Sequence, residues 1–183
     1  MKIYRIEGDM LGAQSINLDT SNGDTGYPWF NGKPKGSWSA PVELYVQDKR
    51  KPAANFYHMG NNLVFDELVF QLMGDLLECA GEVFPIHVED AGQLYILNPT
   101  LSYAALDKDN YTPQGIVDGE PYGIEKYAFV SDALGDSSLF LLSELKPGPL
   151  FAISGRQSED DEFVNRYLKN KLTGLSMEEL WSN

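Results

Sequence analysis

The sequence predicts an α+β fold: a mainly antiparallel sheet with a central buried helix at about 67–80 and a C-terminal helix at about 159–172. Short apolar runs recur along the chain between clusters of Gly, Pro, Asn and Asp, and no long helix separates successive runs to make a parallel crossover. One segment departs from this pattern, because Leu68, Val69, Leu72, Met73, Leu76 and Leu77 follow helical spacing. A second helical stripe, Phe163, Val164, Tyr167, Leu168 and Leu172, comes near the C-terminus.

The elements follow in order. Alternation over 2–7 predicts an opening strand with Ile3 and Tyr4 inward. Residues 8–41 are dense in turn formers, and Trp29 and Trp38 are expected to anchor these loops to the core rather than to cage a ligand. Val42, Leu44 and Val46 share a face of a second strand, which the basic cluster Lys49-Arg50-Lys51 and Pro52 end. Leu63-Val64-Phe65 leads into Asp66, an N-cap for the helix 67–80, and Gly81 is expected to close that helix. Residues 82–88, edged by Pro85, and 93–97 form a hairpin across Glu89-Asp90-Ala91-Gly92. Asn98-Pro99 ends that strand, and Leu101, Ala104 and Ala105 are expected to form a short helical face. Residues 107–123 read as loop, and 125–130, 139–142 and 148–154 as strands. Ser158, with Glu159, Asp160, Asp161 and Glu162, is expected to cap the last helix, and Ser176-Met-Glu-Glu179 to cap one further turn.

At 183 residues the chain is read as a single domain, 1–183, with a loop-rich part over 1–60 and the remainder over 61–183. The 14 Lys and Arg against 27 Asp and Glu give a formal net charge of -13, which repels nucleic acid and steers a basic partner inward. The N-terminus lacks the apolar run of a secretory signal and no stretch is apolar enough to span a membrane, so the expected location is the cytoplasm. The one cysteine, Cys79, falls on the apolar helical pattern and is expected to be a small buried side chain.

Residue chemistry points away from catalysis. His58 and His87 belong to no metal-ligand spacing, Ile153-Ser154-Gly155 lacks the flanking glycines of a nucleophile elbow, and Gly115, Gly119 and Gly123 have no strand-to-helix phosphate cradle around them. Asp107-Lys-Asp109-Asn-Tyr111 begins with the spacing of a calcium loop but puts Tyr111 where an oxygen ligand belongs. No cofactor, metal or enzymatic activity is expected.

The order of features from Leu63-Val-Phe-Asp66 through Ala80-Gly-Glu-Val-Phe-Pro85, Gln93-Leu-Tyr-Ile-Leu-Asn-Pro-Thr100, Ala104-Ala-Leu-Asp107, Leu139-Phe-Leu-Leu-Ser-Glu-Leu145, Pro149-Leu-Phe-Ala-Ile-Ser154 and Leu172-Thr-Gly-Leu175 to Trp181 resembles family eleven of the immunity proteins of bacterial polymorphic toxin systems, formerly a domain of unknown function. The resemblance covers roughly 61–181 and rests on order and spacing rather than on one motif. It implies a protein that binds and neutralises a cognate toxin domain by contact, without chemistry. An acidic surface would meet a basic toxin face, and Asp118, Glu120, Asp160 and Asp161 are the candidate contact residues. The alternative is a homo-oligomeric structural or regulatory module.

Overall fold

The computed structural model describes residues 1–18, 30–38, 43–60, 62–117, 120–145 and 148–183. The elements in chain order are β1 (Lys2–Gly8), β2 (Ser15–Leu18), β3 (Leu44–Gln47), β4 (Phe56–Met59), β5 (Asn62–Phe65), α1 (Glu67–Ala80), β6 (Gly81–Val88), β7 (Gly92–Pro99), β8 (Ser102–Tyr103), β9 (Thr112–Val117), β10 (Glu120–Lys126), β11 (Leu139–Leu142), β12 (Leu150–Ser154), α2 (Phe163–Lys169) and β13 (Leu175–Ser182). The class is α+β, as expected, but the strands divide among more than one sheet. A five-stranded sheet has the order β13-β1-β12-β11-β8, and β2-β3-β6-β7-β5-β4 close into a barrel. Strands β9 and β10 form a separate two-stranded ribbon.

Alternation along the strands explains how the two large sheets share one core. On β12, Leu150 and Ala152 face the cluster that holds α1 and α2, while Phe151 and Ile153 face a cluster with Ala105, Tyr127, Phe129 and Leu134. In the barrel, Val64, Leu94 and Ile96 point inward, whereas Phe56, Phe65 and Leu97 point outward to α1. Strands buried on both faces read as continuous apolar runs, which is why 139–142 and 150–153 carry so little polarity. Ile3 and Ile6 on β1 accordingly serve opposite faces of the sheet.

Helix α1 follows the periodicity. The Asp66 carboxylate accepts the N–H of Val69 at 2.9 Å, and Val69, Met73, Leu77 and Ala80 are buried. Gly81 closes the helix as expected, its N–H donating to the Leu77 carbonyl, but not through a left-handed conformation. Its φ of 172° is extended, so no left-handed cap is needed. A Cβ there would instead collide with the Asn98 carbonyl oxygen across the β6–β7 pair. Cys79 is exposed rather than buried, because the apolar stripe of α1 runs through Met73, Leu77 and Ala80 and leaves residue 79 outside it.

Pro85 neither breaks nor ends β6. Pairing runs unbroken through Phe84, Pro85 and Ile86, so the Pro85 nitrogen faces the other side, where β3 reaches β6 at Val88. At the end of β7, Asn98 is fully buried and its Nδ2 donates to the Lys33 carbonyl at 3.0 Å and to Glu82 Oε2 at 2.8 Å. The expected helical face at Leu101, Ala104 and Ala105 does not form. Thr100 and Leu101 both donate to the Ala80 carbonyl, and Ser102–Tyr103 then pairs in parallel with β11.

Further expectations are corrected along the chain. The strand expected over 42–46 is β3, starting at Leu44; Val42, like Trp29, lies outside the described residues. The strand over 125–130 contributes its first residues to β10, after which a single bridge joins Phe129 to Leu106. The helix over 159–172 is shorter: a 3-10 turn at Glu159–Asp161 and α2 at Phe163–Lys169 are separated by extended Glu162. Ser158 makes no side-chain cap, because the carboxylate of Glu162 turns back to the preceding loop instead of entering a first helical turn. The turn expected at Ser176-Met-Glu-Glu179 is part of β13. Gly174, at φ 98°, reverses the chain, and pairing along the whole of β1 outweighs one capped turn.

Candidate protein-binding surface

The segment expected to be loop, 107–123, contains the most exposed apolar strand residues of the chain. Strands β9 and β10 pair with each other in the register Val117 with Glu120, Ile116 with Pro121, Gly115 with Tyr122 and Pro113 with Ile124. Residues facing across an antiparallel pair share a side, so Val117, Tyr122 and Ile124 lie on one face of the ribbon and Ile116 on the other. Ile124 packs against the buried cluster around Tyr127 and Phe129 and fixes the base of the ribbon. Towards the tip, Ile116 is 70% exposed, Val117 56% and Tyr122 53%. The Tyr122 ring lies over Gly115, where a Cβ would come within 2.7 Å of it, so glycine lets the aromatic ring settle flat against the backbone.

The described acidic candidates lie on different elements. Asp118 lies outside the described residues, and Glu120 is the first residue of β10, opposite Val117. Asp160 and Asp161 sit on the 3-10 turn before α2, which packs on the other face of the five-stranded sheet from Ile124 and Phe129. Asp160 is engaged within the chain: its carboxylate takes Lys169 Nζ at 2.6 Å, which holds it below the usual carboxylate range, and its carbonyl accepts from Arg166. Arg166 also donates to Asp75 and to the Leu72 carbonyl, tying α2 to α1. The Asp161 carboxylate accepts the Ser158 hydroxyl.

Two carboxylates missed by sequence reasoning organise loops. Glu162, 1% exposed, accepts the backbone N–H groups of Gly155, Arg156 and Gln157 at 2.7, 2.6 and 2.7 Å, and Asn165 Nδ2 as well. Arg156 in turn donates to the Leu134 and Gly135 carbonyls, so the loops after β12 and before β11 are held together. Glu82 accepts Lys35 N at 2.7 Å and Gly36 N at 2.8 Å, and these bonds with Asn98 depress its pKa. Both groups are saturated by their own chain, which suits a rigid scaffold rather than an acid or base awaiting substrate. The signal for Glu162 in the sequence was its place after Ser158, but that pattern equally describes a helix cap.

Trp38 stands 5.4 Å from Phe30 and 5.7 Å from Phe84, ring centre to ring centre, and so pins its loop to the barrel. Asp107 folds its carboxylate onto its own turn, accepting from Asp109 N and Asn110 Nδ2. Among the described residues, no three His, Cys, Asp or Glu side chains converge to hold a metal ion, and no helix is long and apolar enough to cross a membrane. No known protein-family model matches the chain, and no curated protein is significantly similar to it.

Proposed function

We propose that this protein neutralises a cognate bacterial toxin domain in the cytoplasm by binding it, as the resemblance to the immunity proteins implies, and that the β9–β10 ribbon is its principal contact. The observation that carries the reading is the exposure of Ile116, Val117 and Tyr122 on a ribbon whose base is fixed in the core. Exposed apolar side chains on a preorganised element are the usual centre of a contact surface, since burying them costs little ordering entropy. The formal net charge of -13 supports a basic partner, which it would attract over long range.

The test is co-expression with the product of the adjacent gene. Rescue of growth together with a co-purifying complex is expected. Replacing Ile116 and Tyr122 by Ser should weaken the complex by about 100-fold, the loss typical of two central anchors, while the melting temperature stays close to that of the parent. Rescue with no physical complex would overturn the contact mechanism, and an unchanged affinity in the double variant would move the contact off the ribbon.

A further inference from the structure

The five-stranded sheet ends on one side at β13, an eight-residue strand paired on its inner side with β1. The direction of its backbone groups follows from one bond. Asp9 N donates to the Gly174 carbonyl at 2.8 Å, just outside the pair Gly8 with Leu175, which makes that pair a wide one. Alternation then turns the N–H and C=O of Leu175, Met177 and Glu179 outward, and those of Ser176 and Glu178 towards β1. The outward N–H of Leu175 is taken by the Tyr167 hydroxyl at 3.3 Å, which agrees with this phase and closes that end. At the other end the register shifts between Ile3 and Tyr4, and Leu180 is the additional residue of a bulge. Between these stops, no described residue bonds the outward N–H and C=O groups of Met177 and Glu179.

Edge strands are ordinarily blunted by proline, by charged side chains or by bulges; β13 has no proline or lysine, and its bulge at Leu180 lies beyond Met177 and Glu179. Its exposed charges are Glu178 and Glu179, which as neighbours project to opposite faces and meet Arg5 at 2.5 Å and Lys2 at 2.7 Å. These glutamates discriminate between possible occupants. A second copy pairing antiparallel about Glu178 would set that carboxylate against its own counterpart, with a net charge of -13 on each chain. A segment bearing Lys or Arg on both faces would complement them instead.

We infer that the outer edge of β13 is a strand-addition site for an extended cationic segment of a partner protein, which bonds to Met177 and Glu179 and extends the sheet. The inference rests on the contact-binding function proposed above, but it concerns a different element from the ribbon, so the two are tested separately.

The experiment titrates the full chain with a capped Val-Lys-Lys-Val-Lys-Lys peptide, whose neighbouring lysines fall on both faces of a strand, with Val-Glu-Glu-Val-Glu-Glu as the control, and follows amide hydrogen exchange by NMR. Saturable binding of the lysine peptide should slow exchange at Met177 and Glu179 by about tenfold or more, as newly bonded edge amides require. Met177→Pro and Glu179→Pro each remove an outward N–H that β1 does not use, and either should weaken binding by about tenfold. The proposal is overturned if no saturable binding occurs, if slowing maps elsewhere, if both proline variants bind like the parent, or if the same amides are protected by dimerisation without peptide. An unchanged affinity of both proline variants for the co-purified toxin domain would sink the site while leaving the toxin-binding function intact; absence of rescue by the parent chain would do the reverse, because the peptide titration is read independently.

Discussion

At the level of single residues, Glu162 has the largest structural consequence for its size. A buried carboxylate that satisfies three successive backbone N–H groups does the work of a small anion in a nest, and it ties the end of β12 to the start of α2. Glu162→Ala removes all of these acceptors at once and leaves three part-buried donors without their protein partner. The expected destabilisation is about 2–4 kcal/mol, read as a fall in urea midpoint with unchanged slope, and Glu162→Gln should recover part of it by keeping one oxygen. A loss below about 0.5 kcal/mol for the alanine variant would mean that water replaces the carboxylate. The run Glu159-Asp-Asp-Glu162 reads as four equivalent helix-start acids in sequence; only the backbone path shows that the fourth is buried and the first three are not.

At the level of elements, the two helix starts make a controlled comparison. Asp66 accepts the Val69 N–H and is itself held by Asn55 Nδ2 at 2.9 Å, so Asp66→Ala should cost about 1–2 kcal/mol. Ser158 has the same sequence credentials but caps nothing, and Ser158→Ala should fall within about 0.5 kcal/mol of the parent. Equal losses in the two variants, measured by urea unfolding, would contradict this assignment of caps. Legibility follows the same division. Helix α1, β1, the β6–β7 hairpin, β11 and β12 were readable because local pattern and tertiary burial agree along them. The ribbon was hidden because Pro113, Gly115, Pro121 and Gly123 carry loop chemistry inside its strands, and β13 was hidden because its pairing partner lies at the other end of the chain. The candidate surface is the least legible part, since formal charge points to Asp160 and Asp161, which pair within the chain, whereas the exposure of Ile116 and Tyr122 follows only from the pairing of the ribbon.

At the level of the whole molecule, stability against pH should form a dome bounded by two different groups of side chains. On the acid side, Glu67, Asp75, Glu82, Asp107 and Asp160 are all held below the usual carboxylate range, by hydrogen bonds from Tyr95, Arg166, the Lys35 backbone, Asn110 and Lys169 respectively. A carboxyl whose pKa is lower folded than unfolded contributes stability above the unfolded value, about 4, and loses it as pH falls through the folded value. On the alkaline side, burial raises the hydroxyls of Tyr57, Tyr127 and Tyr167. A phenol whose pKa is higher folded contributes stability below the unfolded value, about 10, and loses it as pH rises towards the folded value. Burial lowers the pKa of His58, so this group contributes stability above its unfolded value, about 6.5, that is lost as pH falls, and the top of the dome should lie at or above neutrality. Urea midpoints measured across the range should therefore fall slightly from neutrality towards about pH 5.5, fall steeply below about pH 4, and fall again above about pH 10. The alkaline fall should coincide with tyrosinate absorbance appearing in the same transition, because the buried phenols ionise only as the chain opens. Tyrosinate absorbance that develops fully before unfolding would place these hydroxyls in solvent contact and remove the cause assigned to the alkaline limb.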